Sequence, residues 1–146
     1  MKSGQKLGII GGIIIVAIII VAVMSMNAPD GSVNTLTKLA TTDEGTYEVE
    51  LVLSPAPIEP NKETSLRMRY VQAGKDIVQQ HVDYSLFIEK EGEEIYRTPI
   101  IHSNPGIVDG SHTFPSKGDY ILGVDIEGIL FIPIPRQTAI FSISVD

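Results

Sequence analysis

From Tyr47 onward, apolar and polar side chains alternate with a period of two in one segment after another, which specifies strands with one buried and one wet face. Tyr47, Val49, Leu51 and Leu53 fall on one side of the first segment, Glu48 and Glu50 on the other. Pro55, Pro57 and Pro60 end it. Leu66, Met68 and Tyr70 alternate with Ser65, Arg67 and Arg69 in a second segment, and their phase assigns Met68 to the core. In a third, Val82, Tyr84, Leu86 and Ile88 alternate with Asp83, Ser85 and Glu89, and Phe87 breaks the pattern. Glu91 and Gly92 make a tight turn into a strand over 94–101, where Pro99 requires an edge position or a bulge. A short strand at 111–114, a longer one at 119–126 and a last one at 137–145 bring the total to about seven, with no convincing helix among them. The expected fold class is therefore all-β, a two-layer sandwich, in a single domain over 46–146.

Ahead of that domain lies a segment of different character. Between Leu7 and Met24 there is no polar or charged side chain, and eight of those eighteen residues are Ile. Extended to Met26 and taken as a helix at about 1.5 Å per residue, the segment spans the roughly 30 Å of a bilayer's hydrocarbon core. A cleaved secretory signal is the alternative. The apolar run exceeds the ~7 to 15 residues of a signal core, and no A-x-A site follows, which favours a retained transmembrane helix over 7–26. Lys2 and Lys6 precede it and no basic residue follows until Lys38, so residues 1–6 are expected in the cytoplasm and the C-terminal domain outside, in a single-pass membrane protein. Gly8 and Gly12, with Gly4 before them, recur at four-residue spacing and are candidates for helix association within the lipid bilayer, although glycine is also common in membrane helices generally. Residues 27–45, rich in Ser, Thr, Asn, Asp and Gly, read as a polar stalk.

Composition excludes several classes. Without Lys2 and Lys6, the eleven Lys plus Arg fall to nine against eighteen Asp plus Glu, a charge of −9 on the outer part, so nucleic acid is not an expected partner. The chain has no cysteine, which rules out disulfides, thiolate zinc sites, c-type haem attachment and a Cys-ligated copper centre. No N-x-[ST] acceptor occurs at Asn27, Asn34, Asn61 or Asn104. None of the metalloprotease, nucleophile-elbow, P-loop, dinucleotide or calcium-loop motifs is present, and no enzymatic activity is expected.

The sharpest local pattern is Pro115-Ser116-Lys117-Gly118-Asp119-Tyr120, entering a strand in which Tyr120, Leu122, Val124 and Ile126 alternate inward. It resembles the tyrosine corner of immunoglobulin-like and fibronectin-like sandwiches, in which the phenol bonds back to nearby backbone. The disulfide cysteine of antibody domains is replaced by Leu122, and there is no Trp. With its apolar N-terminal segment and the ending Gly128-Ile129-Leu130-Phe131-Ile132-Pro133-Ile134-Pro135, the chain also looks like small surface-anchored sandwich proteins of ammonia-oxidising archaea. That resemblance implies a membrane-anchored, extracytoplasmic, immunoglobulin-like archaeal domain and brings no established activity with it.

Two candidate sites follow from the residues. If Glu91 and Gly92 are the central turn residues, strand pairing places His81 opposite His102, and a further hairpin through Asn104 to Gly110 places His112 opposite His102 in turn. Three imidazoles in such a row share one face and can converge on Cu(II) or Zn(II). A bulge at Pro99 would shift that register, and in a fibronectin-like topology the strand carrying His112 crosses to the other sheet. Ordinary solvated or backbone-bonded histidines are the simpler alternative, with no cofactor at all. The second candidate is the apolar run Ile126 to Ile134, closed by Pro133 and Pro135, which cannot be a central strand throughout and can present Phe131, Ile132 and Ile134 at an edge to a membrane or surface protein or to lipid. Alternatively those side chains close one end of the sandwich. The expected function is a non-catalytic accessory or protein-interaction module of a surface or membrane assembly, with an extracytoplasmic copper or zinc carrier as the alternative.

Overall fold

The computed structural model describes residues 33–146. The segment 7–26, with Gly8 and Gly12, lies outside the described residues. Ten strands follow in order: β1 (Leu36–Thr41), β2 (Tyr47–Ser54), β3 (Glu63–Gln72), β4 (Ile77–Val78), β5 (Val82–Lys90), β6 (Glu93–Arg97), β7 (Ile101–Ser103), β8 (Ile107–Thr113), β9 (Gly118–Ile129) and β10 (Ile132–Val145). They form two antiparallel five-stranded sheets. In the first, β1, β2 and β3 lie side by side, and β8 and β4 pair in tandem along the far edge of β3. In the second, β10, β9 and β5 are neighbours, and β6 and β7 share the far edge of β5.

The alternation seen in the sequence is the packing of this sandwich. Val49, Leu51, Leu53, Leu66, Met68 and Tyr70 face inward from the first sheet. Val82, Tyr84, Leu86, Ile88, Tyr120, Leu122, Val124, Ile126, Phe141 and Ile143 meet them from the second. Each such side chain contributes roughly 1.5 to 3 kcal/mol by leaving water, and this burial holds a cysteine-free body together. Phe114 and Tyr120 pack edge to face at 5.0 Å within it. The Tyr120 hydroxyl donates to the Ser116 carbonyl at 2.8 Å, as expected of a tyrosine corner.

Three departures from the sequence reading have identifiable causes. Residues 36–41, expected within a polar stalk over 27–45, form the edge strand β1. Lys38 pairs with Leu51 in the same phase as Leu36 and Ala40, so a charged residue interrupts the apolar period of this edge strand. The strand expected over 94–101 is split into β6 and β7 around Pro99, which has no N–H to donate. Thr98 bridges the gap, its N–H donating to the Leu86 carbonyl and its hydroxyl accepting from the Leu86 N–H. Phe87, out of phase, covers the outer face of the second sheet. It is 7% exposed, lying on Gly123 with the Arg97 guanidinium 4.7 Å above its ring.

The two ends of the sandwich differ. The described chain enters at one end, where the Ala56 N–H donates to the Asn34 carbonyl and Ile58 bridges to Val145, the partner of Gly118. From Gly118, β9 runs twelve residues to Ile129, placing the β9–β10 turn about 35 Å away at the opposite end.

Candidate functional site

At that far end β5, β7, β9 and β10 bring together the histidine pair and the apolar turn. His81 sits just before β5 with a left-handed backbone, φ 51°. Its N–H donates to the Asn104 carbonyl and its carbonyl accepts from the Leu130 N–H. One residue thereby holds both the crossover that leaves β7 and the hairpin that joins β9 to β10. His102 lies in the middle of β7, opposite Asp83 on β5, and Asp83 in turn lies opposite Gly128 on β9.

The His102–Asp83 pairing corrects the expected His81–His102 pairing. Along β5 the register first slips by one residue between Ile88 and Glu89. It slips by one more around Pro99, between the Phe87–Arg97 and Tyr84–Ile101 pairs. Two slips restore the side-chain face, so the two imidazoles still meet, diagonally rather than across. His81 Nδ1 is 3.5 Å from His102 Nε2, and Asn104 Oδ1 lies 3.2 Å from the first and 2.8 Å from the second. His102 Nδ1–H donates to Asp83 Oδ1 at 2.6 Å. That hydrogen bond, reinforced by the one to Asn104, raises the His102 pKa above its ordinary value.

His112 does not join them. β8 pairs with β3 in the other sheet, and His112 stands opposite Thr64, packed against Tyr96 and Phe114. The hairpin that would have set it beside His102 is replaced by a crossover between sheets. Burial lowers its pKa, and its Nε2 is buried without a hydrogen-bond partner. Among the described residues no three or more His, Asp or Glu side chains converge as a metal cluster.

Above the histidines lies the apolar turn. Ile129 pairs with Ile132, leaving Leu130 and Phe131 as its two central residues, with φ of 51° and 66°. Both therefore have the backbone of a type I′ turn, a position that favours Asn and Gly because L side chains crowd the following carbonyl there. Leu130, Phe131 and Ile132 are 54%, 68% and 64% exposed. Ile134, expected on the same surface, is instead partly buried against the core. The Phe131 ring centroid is 4.5 Å from that of His81 and 4.9 Å from that of His102, so one face of the ring covers both imidazoles. Ile100 and Ile101, beside His102 in sequence, are exposed as well.

Sequence reasoning missed Asn104, Asp83 and Leu130. Asn104 and Asp83 act through partners on other strands, and no short motif marks them. Leu130 has a local signal: two apolar residues at the centre of a two-residue turn.

A second polar group lies further along the outer face of the same sheet. Arg97 donates to Asp125 Oδ2 at 2.9 Å and to both carboxylate oxygens of Glu94, and Thr138 donates to Asp125 Oδ1 at 2.7 Å. Every oxygen of the buried Asp125 carboxylate is thus matched, which makes this a clamp across β6, β9 and β10. No protein-family model, no curated protein and no solved structure matches the chain.

Proposed function

We propose that this chain is a membrane-anchored, extracytoplasmic, non-catalytic binding module with an immunoglobulin-like body, which docks a protein partner through the turn Leu130–Phe131–Ile132. The observation that carries the reading is the coincidence of strain and exposure at Leu130 and Phe131. A left-handed backbone costs an L residue about 1 to 2 kcal/mol, and the part of these side chains that faces solvent adds nothing to the fold. A turn selected for stability would carry Asn-Gly; an apolar turn in this conformation fits a contact surface.

The body is supported as immunoglobulin-like by strand order. β2, β3 and β8 correspond to strands A, B and E of that architecture, and β5, β9 and β10 to C, F and G, with the tyrosine corner on the F-like strand. β1 is then an added strand outside A.

Chain polarity favours a protein over the anchoring bilayer as the partner. The described chain enters the body at the end opposite the apolar turn, so an anchor preceding it would hold the turn away from its own membrane. The outer part's charge of −9 also disfavours an anionic lipid surface. The test is extraction of the full chain from its native membrane in mild detergent, with wild type, Phe131→Asp and Ile77→Asp compared by size. A complex lost with Phe131→Asp and kept with Ile77→Asp supports the reading. A partner-free monomer in all three overturns it.

A further inference from the structure

The histidine pair presents a donor set that is short of positive charge. His102 Nδ1–H is committed to Asp83, so whenever the ring is neutral its lone pair is at Nε2. That lone pair faces Asn104 Oδ1, another acceptor, at 2.8 Å, and both face His81 Nδ1 at 3.5 and 3.2 Å. With His102 neutral, only His81 Nδ1 can bring a proton to these three atoms; with His102 protonated, its Nε2–H donates to Asn104 Oδ1. The position is one that a cation satisfies, either a proton on Nε2 or a metal ion in its place.

We propose that His81 Nδ1, His102 Nε2 and Asn104 Oδ1 form one face of a binding site for a borderline divalent transition ion, Zn(II) or Cu(II), with Asp83 orienting His102 from behind. For imidazole bonds of about 2.0 to 2.1 Å, adjacent ligand atoms stand about 3.3 Å apart in a tetrahedron and about 2.9 Å apart in an octahedron. The three separations here, 2.8, 3.2 and 3.5 Å, bracket those values. Two imidazoles with an amide oxygen suit Zn(II) and Cu(II) better than Mg(II) or Ca(II), which take all-oxygen sites. Oriented ring nitrogens are half of such a site; the other half is what orients them. Asp83 supplies a carboxylate on the far nitrogen of His102, the usual outer partner of a metal-bound histidine. Gly128 gives that carboxylate room, since a Cβ there would collide with Asp83 Oδ2.

The donors come from three segments: the β4–β5 loop, β7 and the crossover to β8. An ion would therefore tie β7 and the crossover after it to the β4–β5 loop, whose His81 carbonyl accepts from the Leu130 N–H, with the Phe131 ring as an apolar wall. The remaining coordination positions are left to water or to an outside ligand. The site differs from a row of three histidines in that its third donor is an amide and His112 has no part in it.

The experiment is titration of the full chain in detergent micelles with ZnCl2 and, separately, CuSO4, read by calorimetry and, for Zn(II), by long-range 1H–15N spectra of the imidazoles. The expected result is one equivalent bound, with the Nδ1 resonance of His81 and the Nε2 resonance of His102 shifting together and His112 unmoved. Asp83→Asn should weaken binding by about 10- to 100-fold, and His112→Gln should leave it unchanged. Should a variant fail to fold, the wild-type imidazole shifts alone still decide. If His81 and His102 keep their positions at stoichiometric metal, or if binding survives His81→Ala with His102→Ala in a folded protein, the site does not exist. A turned Asn104 amide, donating to both rings, then satisfies the cluster without metal.

Discussion

The Asp83 carboxylate occupies the space that a methyl group on Gly128, its cross-strand neighbour, would fill. On its other side the same carboxylate accepts the Nδ1–H of His102 at 2.6 Å. A row across three strands, His102–Asp83–Gly128, thus fixes the orientation of one imidazole through the absence of a side chain two strands away.

Gly128→Ala should therefore act at a distance. The added methyl must push Asp83 away, at a cost typical of overpacking, about 1 to 3 kcal/mol. The downfield Nδ1–H resonance of His102 should weaken or vanish in the variant. If that proton signal is retained at its wild-type position, the row does not orient His102.

Gly123 and Phe87 form a second such pair. A Cβ at Gly123 would collide with the Phe87 ring, which the Arg97 guanidinium covers from above. Gly123→Ala should destabilise the fold by about 1 to 3 kcal/mol. Combining it with Phe87→Leu should recover part of the loss, because the two changes share one space. Strict additivity of the two in a denaturation cycle would contradict the packing.

His112 gives the fold a sensitivity to acid. Burial against Tyr96 and Phe114 holds its folded-state pKa below the ordinary value of 6.5, so on the acid side the unfolded chain binds the proton more readily than the folded one. Its contribution is neutral well above 6.5 and becomes destabilising as pH falls through that value. Melting at pH 7.5 and 5.5 should therefore show a smaller acid-side loss in His112→Phe than in wild type. An equal or larger loss in the variant would show that His112 is not held neutral by the fold.

Much of this architecture is legible in the chain because burial imposes a period of two. The core-facing residues of β2, β3, β5 and β9 can be read directly, as can the Glu91–Gly92 turn and the tyrosine corner at Tyr120. β1 is not, because Lys38 occupies an apolar phase on an edge strand. Register is the least legible property. The unpaired Ile95 and the break at Pro99 each displace the pairing by one residue, and neither displacement is encoded by alternation. That the two slips cancel in parity is why His81 and His102 meet although the expected pairing is wrong. His112 parts from them because β8 changes sheet, a long-range choice that local pattern does not carry.

The central claim is that the β9–β10 turn keeps Leu130 and Phe131 for contact rather than for stability, and replacing both with Asn-Gly tests it most directly. Relieving two left-handed side chains should raise the melting temperature of the full chain, by about 1 to 2 kcal/mol of stability per residue at most. The same variant should lose the detergent-stable complex that the account expects of wild type. A lower melting temperature, or a complex that persists unchanged with Asn-Gly in the turn, would contradict the account.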